Sequence, residues 1–179
     1  MKTLIIQSSF PRSASTLLVN VLYGLIVGLQ DMPVIWNDFR HPYRIEAPIT
    51  IFKTHDTNLA DLDFLFKEKY NTFFICSERG ATFDHRLRQM PNAAILDYTD
   101  LNNVPVPEVC ERLSLVIADM IPYINLSIPN CVARVEAMNR RYAEIASKPF
   151  NFVDSFYQLH GSHRLRGAAP HRHPNRSSQ

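Results

Sequence analysis

The sequence predicts an α/β fold with three layers, in which a mostly parallel central sheet is covered by helices on both faces. Short apolar runs of strand length alternate along the chain with segments whose apolar residues recur at helical spacing, as is typical of parallel strands joined by crossover helices. At 179 residues and 46% hydrophobic composition, the chain can form one domain with a substantial core. We therefore expect a single domain over residues 1–159, followed by a basic tail over residues 160–179.

Five apolar runs have the composition and the length of strands. The run after Asn71 is continuously apolar, as expected of a strand that is covered on both faces. The predicted strands span residues 4–6, 33–36, 49–53, 72–76 and 93–97.

Helical segments separate these strands. Asn58 can cap one helix, and another begins near Pro107 and ends at Pro122. The first helical run, residues 17–29, is about 13 residues long and contains Asn20, so it falls short of the roughly 20 apolar residues of a bilayer span. We expect no membrane span. The remaining predicted helices cover residues 59–66, 86–90 and 128–147.

The distribution of charge and the pattern of cysteines indicate the compartment of the protein and whether it binds a metal. The net charge is +2, and the residues from His160 onward include four arginines, four histidines and no acid, so the basic character lies in the tail. Cys76, Cys110 and Cys131 show no CxxC pairing, which argues against a disulfide framework or a zinc site and fits a reducing compartment. Polar residues 7–9 interrupt the N-terminal apolar run too early for a signal peptide. We expect a cytoplasmic protein without a metal.

The stretch of residues 11–16, PRSAST, lies between the first predicted strand and the first predicted helix. The first N–H groups of a helix have no intrahelical partner and, with the helix dipole, attract anions. Small side chains suit the approach of a phosphate or sulfate group, and Arg12 adds a fixed positive charge. The loop lacks the glycines and the lysine of GxxxxGK[ST], so it is not the phosphate loop of nucleoside triphosphatases.

This loop resembles the 5′-phosphosulfate-binding loop of the sulfotransferase family, PRSGST or PKSGTT, which also precedes an apolar helix. The resemblance implies a P-loop-NTPase-like sulfotransferase fold that binds 3′-phosphoadenosine 5′-phosphosulfate (PAPS) as co-substrate. Ala14 stands where the family has glycine, so we expect the loop to adopt φ values acceptable to alanine. The residues that the resemblance assigns to PAPS in this loop are Arg12, Ser13, Ala14, Ser15 and Thr16.

Lys53, Thr54 and His55 stand at the end of the third predicted strand, and ligands bind at the carboxyl ends of the strands in open parallel sheets. The triplet is similar to the KTH of sulfotransferases, whose histidine is the catalytic base and whose lysine contacts the transferring sulfuryl group. A histidine can accept a hydroxyl proton near neutral pH, and a lysine stabilises negative charge that develops on oxygen. The resemblance implies catalytic roles for His55 and Lys53, together with Arg12.

The segment after the fourth predicted strand departs from the family. The arginine and serine that hold the 3′-phosphate of PAPS in the family fall on Ser77 and His85 here, and Arg79 and Arg86 lie nearby as candidate replacements. If the extended conformation continues past Cys76, Arg79 points the same way as Ser77.

Two later segments complete the resemblance. Residues 95–101, ILDYTDL, are similar to a family strand followed by YEDL, which implies that Tyr98 lies near the adenine. Residues 160–167, HGSHRLRG, fall where the family has a basic segment that folds over the nucleotide, and Arg166 and Gly167 match it. The alternative for this segment is a disordered basic end.

Together these motifs predict a sulfotransferase that moves a sulfuryl group from PAPS to a hydroxyl or amine of a small-molecule or glycan acceptor. No residue signature identifies the acceptor or an oligomeric state, and a nucleic-acid partner is not expected. Two alternatives remain open: a P-loop-type nucleotide kinase, and a non-catalytic nucleotide- or nucleic-acid-binding protein of the same fold.

Overall fold

A computed structural model describes residues 2–9, 13–29, 34–36, 47–55, 57–80, 83 and 87–146. Within these residues, the strands and helices alternate in the predicted order, with one short helix added after the last strand. A 3₁₀ turn, Leu87–Gln89, lies where a short helix was predicted. The elements are β1 (Lys2–Ser9), α1 (Ser15–Leu25), β2 (Val34–Trp36), β3 (Ile49–Thr54), α2 (Leu59–Phe66), β4 (Tyr70–Glu78), β5 (Ala93–Asp97), α3 (Tyr98–Asn102), α4 (Val106–Met120) and α5 (Ile128–Ala146).

The strands form one five-stranded sheet in the order β2-β3-β1-β4-β5, and each pair of neighbours is parallel. In the central strand β1, Gln7 is in register with Lys53 of β3, and Ser9 is in register with Ser77 of β4. The predicted parallel α/β sheet is confirmed. Since all strands run the same way, their carboxyl ends meet at one edge, which we call the C-terminal edge.

Helices cover both faces of this sheet. Ile5, Ile51 and Ile75 belong to one buried cluster with side chains of α1, α4 and α5. Side chains alternate along a strand, and on the opposite face Phe52 and Phe74 pack in a second cluster with α2. The result is the three-layer arrangement that the sequence predicts.

Helix α1 ends at Leu25, earlier than the apolar run predicts. Ile26 leaves the helix in an extended conformation and forms an antiparallel bridge with Leu126, while Gly28 has a φ of +86°. Ile26 still packs into the core beside α1. The apolar run therefore reflects burial that continues after the helix has ended.

Cys110 of α4 and Cys131 of α5 form a disulfide with a Cα–Cα distance of 6.1 Å, so the expectation of no disulfide was wrong. Their spacing carries no CxxC signal, and the pairing arises because both lie buried where α4 packs on α5. Disulfides persist mainly in oxidising compartments, so the cysteine pattern no longer supports a reducing one. Cys76 is unpaired and buried in the sheet, where burial raises the pKa of its thiol to about 12.

Gly24 allows α1 and α5 to approach closely. A Cβ atom at this position would lie 2.5 Å from Cα of Cys131 and 3.2 Å from the carbonyl oxygen of Asn130. Both contacts are with backbone, so we expect Gly24→Ala to lower the free energy of unfolding by about 1–3 kcal/mol, the usual cost of overpacking. Chemical denaturation measures this change. Helix propensity alone would stabilise the alanine variant by about 1 kcal/mol, so a gain in stability would contradict the close contact.

Among the described residues, no helix is long and apolar enough to cross a membrane. The predicted basic tail, residues 160–179, lies outside the described residues.

Candidate functional site

The N-terminus of α1 lies at the C-terminal edge of the sheet and has no side-chain cap. Its N-cap residue is Ala14, and the first turn contains no acidic residue. Ser13, Ser15 and Thr16 surround it with small side chains. The N–H groups of this turn and the helix dipole therefore favour an anion here. Arg12, the predicted cation of the loop, lies outside the described residues.

Ala14 adopts the left-handed conformation, with φ 63° and ψ 23°. It is the one non-glycine residue with a positive φ in the part of the chain that the structure describes. The expectation that the loop adopts φ values suited to alanine was therefore wrong, because this conformation costs an L-residue roughly 1–2 kcal/mol. Hydrogen bonds hold Ser13 to β4 on one side and the first turn of α1 begins on the other, so residue 14 must make the turn between them.

Ala14→Gly is expected to raise the free energy of unfolding by about 1 kcal/mol, because glycine adopts a positive φ without steric cost. The gain is smaller than the full strain because glycine also increases the freedom of the unfolded chain. Chemical denaturation measures the difference. Ala118→Gly, at an exposed position of α4, is the matched control and should lose about 1 kcal/mol. Equal losses in both variants would contradict strain at Ala14.

Hydrogen bonds fasten the loop to the two central strands. The Ser13 hydroxyl donates to the carbonyl oxygen of Ser77 at 3.0 Å, and the Ser77 hydroxyl donates back to the carbonyl oxygen of Ser13. The hydroxyl oxygen of Ser9 lies 2.7 Å from that of Ser77 and accepts the Ser77 N–H at 3.2 Å. All three serines are fully buried. This network satisfies the polar groups of the three serines. Strand β1 can therefore stay buried as far as Ser9, beyond the apolar residues 4–6 from which the strand was predicted.

The same network orients Gln7. The Ser77 hydroxyl proton points to a carbonyl oxygen, so the Ser9 hydroxyl donates to Ser77 and the Gln7 side-chain NH₂ donates to Ser9. Oε1 of Gln7 is then the one buried side-chain nitrogen or oxygen of the described residues that has no hydrogen-bond partner. An unsatisfied buried acceptor costs about 1–3 kcal/mol. Gln7 Oε1 is therefore a buried acceptor that can still receive a hydrogen bond.

Lys53 lies on the same face of the sheet as Gln7, with which it is in register on the neighbouring strand. Its Nζ donates to the Thr16 hydroxyl at 3.4 Å. The residue is only 4% exposed, and burial lowers the pKa of its ammonium group from 10.5 to about 8. A buried cation beside the positive end of a helix dipole is poorly compensated, so both features favour a bound anion.

His55 follows β3 and is exposed at the same edge. Its Nδ1 lies 2.7 Å from the carbonyl oxygen of Ser9. A carbonyl oxygen only accepts hydrogen bonds, so Nδ1 carries a proton and the neutral ring presents Nε2 as an acceptor. A general base needs such an acceptor, and the bond to Ser9 also fixes the orientation of the ring.

The structure separates the residues predicted for the 3′-phosphate. Ser77 is buried beneath the loop, whereas Arg79 lies beyond the end of β4 and is exposed. The Arg79 guanidinium lies over the Tyr98 ring at 5.1 Å from its centroid, which is a cation–π contact. The structure thus brings together Arg79 and Tyr98, which the sequence assigned to different parts of the nucleotide. The predicted residues outside the described part of the chain are His85, Arg86, Arg166 and Gly167.

Glu78, the last residue of β4, contacts two residues beyond the strand. Its buried carboxylate accepts the Phe83 N–H at 2.9 Å and forms an ion pair with Arg88. No sequence signal indicates this pairing, which joins residues ten positions apart. Because Arg88 compensates the carboxylate, Glu78 does not cancel the positive potential of the site.

Asn20 of α1 and Arg134 of α5 support the loop, and the sequence did not predict either of them as a site residue. The Asn20 side chain donates to the carbonyl oxygen of Thr16 at 2.8 Å and accepts from Nε of Arg134 at 3.1 Å. The Arg134 guanidinium also lies over the Tyr23 ring, and burial lowers its pKa. An isolated asparagine inside an apolar helix was the one sequence signal for this contact.

In the part of the chain that the structure describes, no group of three His, Cys, Asp or Glu side chains could hold a metal ion. Comparisons with protein-family models, curated proteins and solved structures found no match. The resemblance to sulfotransferases therefore depends on sequence motifs, chiefly PRSAST and KTH.

Proposed function

We propose that the protein is a sulfotransferase that moves a sulfuryl group from PAPS to a hydroxyl or amine of a small-molecule or glycan acceptor. The observation that carries this proposal is the meeting of three features at one edge of the sheet. They are the uncapped N-terminus of α1, the buried Lys53 ammonium, and His55, whose Nδ1 is bound to the Ser9 carbonyl oxygen and whose Nε2 is the acceptor nitrogen. They suit anion binding, charge stabilisation and proton removal, respectively.

The residues around α1 fit the phosphosulfate end of PAPS. The N–H groups and hydroxyls of Ser15 and Thr16 would bind its 5′-phosphate, and Arg12 would add positive charge. PAPS supplies the activated sulfuryl group, and its negative charge would compensate both the helix N-terminus and the Lys53 ammonium. Gln7 Oε1 gains a donor if the Lys53 ammonium, its register neighbour, turns toward it.

His55 and Lys53 would divide the chemistry between them. Nε2 of His55 takes the proton from the acceptor hydroxyl or amine as that atom bonds to sulfur, while the bond from sulfur to the phosphate oxygen breaks. The Lys53 ammonium stabilises charge on the sulfuryl and bridging oxygens. Positioning and electrostatics suffice, so no covalent intermediate with the protein is required.

The 3′-phosphate would lie beside Arg79. The Arg79 guanidinium lies over the Tyr98 ring, and its N–H groups are suited to phosphate oxygens. The cation–π contact with Tyr98 would restrict the orientation of the guanidinium, so Tyr98 would orient Arg79.

Titration with 3′-phosphoadenosine 5′-phosphate (PAP) tests the proposal, since a ligand that binds only the folded state raises its stability. We expect wild type to bind PAP more tightly than adenosine 5′-phosphate, and Arg79→Ala to reduce that preference by about 1.5–3 kcal/mol, the range for a charged hydrogen bond. Calorimetric titrations with both nucleotides measure it. Arg112→Ala is the matched control, since Arg112 is exposed on α4 and pairs with Glu108; it should leave the preference unchanged.

The two alternatives give different results in the same experiments. A nucleotide kinase would require magnesium for turnover, whereas transfer from PAPS should proceed without it. A non-catalytic binder would bind PAP without transferring sulfate to any acceptor. Wild type that shows no preference for PAP over adenosine 5′-phosphate would contradict the proposed donor.

A further inference from the structure

A small apolar pocket of about 120 Å³ opens beside the first turns of α1, between α1, α4, α5 and the segment that joins α3 to α4. Its floor includes the buried side chains of Val21, Val109 and Val135. Its mouth includes the half-buried Val104, and the exposed Asn139 is the only polar residue among the described residues that line it. The described side chains that line the pocket are therefore apolar except for one exposed amide.

Two contacts join the helices that surround this pocket. The Cys110–Cys131 disulfide joins α4 to α5, and Gly24 holds α1 against the backbone at Cys131. Val21, Val109 and Val135, one lining residue from each of the three helices, lie within about one turn of this junction, so the junction fixes the spacing of the helices at that end of the pocket. Five of the eight lining residues are valines, whose χ1 angles are stiff. The walls are thus rigid, and a rigid site suits a rigid ligand.

The volume of the pocket and the side chains that line it determine the size and the polarity of a ligand that fits. A cavity of roughly 150 Å³ with apolar walls is large enough to bind benzene, so a pocket of about 120 Å³ with an open mouth suits a single ring. Within the described part of the chain, no charged side chain lines the pocket, and an ion would therefore lose its hydration without gaining a partner. The Asn139 amide can both donate and accept a hydrogen bond.

We propose that this pocket binds the ring of a small aromatic molecule that carries one uncharged hydrogen-bonding group, with that group at Asn139. The site differs from the one at the N-terminus of α1. Thr16 contacts Lys53, whereas the next residue, Leu17, lines the pocket. The proposal does not depend on sulfuryl transfer and is tested without PAPS.

Benzene and phenol are the probes, titrated into the full chain labelled at its valine and leucine methyl groups for NMR. We expect saturable shifts in the methyl signals of Val21, Val109 and Val135. We expect phenol to bind two- to tenfold more tightly than benzene, the range for one neutral hydrogen bond.

Three variants locate the ring and its substituent. Val104→Phe fills the mouth and should weaken both probes at least about tenfold, because the ring would have to displace an apolar side chain of similar size. Val27→Phe is the matched control at a 47% exposed position outside the lining, and it should leave both affinities unchanged. Asn139→Leu should leave benzene binding intact and remove the advantage of phenol.

The absence of saturable shifts with either probe in the wild type would overturn the proposal. Binding that survives Val104→Phe, in a variant whose spectrum shows the native fold, would do the same. Equal affinities for benzene and phenol in the wild type would overturn the role of Asn139. None of these outcomes bears on PAP binding, so failure here and failure of the proposed function are distinguishable.

Discussion

Replacing His55 with alanine is expected to reduce sulfuryl transfer by roughly 10²- to 10⁴-fold, the range for loss of a general base, and to leave the affinity for PAP almost unchanged. The reason is the position of the ring. Nδ1 is held by the Ser9 carbonyl oxygen, so Nε2 is the ring nitrogen that can accept a proton. The side chain is exposed at the edge of the site, and its removal leaves no unpaired charge inside the fold.

Initial rates of transfer at saturating PAPS, together with calorimetric titration of PAP, measure the two quantities separately. Thr57→Ala, two residues further along the same segment, is the control for disturbance of the chain after β3, and it should transfer at nearly the wild-type rate. Because the position is exposed, imidazole in the buffer should partly restore the His55→Ala variant. Turnover within a factor of a few of the wild type would show that His55 is not the base.

The sheet could be predicted because its central strands β1 and β4 are buried on both faces. Runs such as residues 72–76 contain almost no polar positions, and in a chain of alternating strands and helices this pattern is typical of a parallel sheet between two helical layers. The cap at Asn58 is likewise a local signal, and the structure shows its side chain accepting the Asp61 N–H. The end of α1 was not predictable in this way, because Ile26 is as buried as the helix that precedes it.

The candidate site was predictable only where its chemistry is local. PRSAST and KTH each occupy a few consecutive residues, and a parallel sheet necessarily brings the ends of its strands to one edge. The pairings that complete the site join distant positions: Ser13 with Ser77 and Asn20 with Arg134. No spacing rule links such residues before the fold is known. The same holds for the Cys110–Cys131 disulfide.

Ala14 and Ser77 differ from the glycine and the arginine of the sulfotransferase motifs. Contacts with neighbouring residues accommodate both differences. Alanine retains the left-handed conformation that the turn requires because Ser13 is tied to β4 through both its hydroxyl and its carbonyl oxygen. Ser77 supplies the other half of those contacts. An arginine at position 77 would have to enter this fully buried network, whereas the serine hydroxyl forms a hydrogen bond to the loop.

Lys53→Met is expected to stabilise the folded protein by about 1–3 kcal/mol near pH 7 and to weaken PAP binding and transfer by at least about tenfold. Lys53 is buried, and the depression of its pKa from 10.5 to about 8 corresponds to at most about 3 kcal/mol of lost stability. Methionine fills a similar volume without a charge, and replacing a buried ion with an apolar group is often stabilising. Most substitutions destabilise, so a gain in stability combined with a loss of activity is a distinctive result.

The dependence on pH follows from the direction of the shift. Below about pH 8, Lys53 is protonated in both the folded and the unfolded chain, so the penalty is fully present. Between about pH 8 and 10.5, the unfolded chain binds the proton and the folded chain does not, so the free energy of unfolding rises with pH. Denaturation of the two proteins across this range should therefore show the advantage of Lys53→Met shrinking. Lys69→Met, at an exposed position, is the matched control for the change from lysine to methionine.

Binding of PAP should change with pH in the opposite direction from the stability of the wild-type chain. The anion favours the protonated ammonium, so affinity should fall as the pH rises through about 8, by up to about tenfold per unit because one proton is linked to binding. The phosphate groups have completed their own titration by then, since their second pKa is about 6. Lys53→Met should bind weakly with little dependence on pH in this window. A wild-type affinity that stays constant from pH 7 to well above 8 would place Lys53 outside the anion site, because a charge in contact with the ligand cannot be lost without cost.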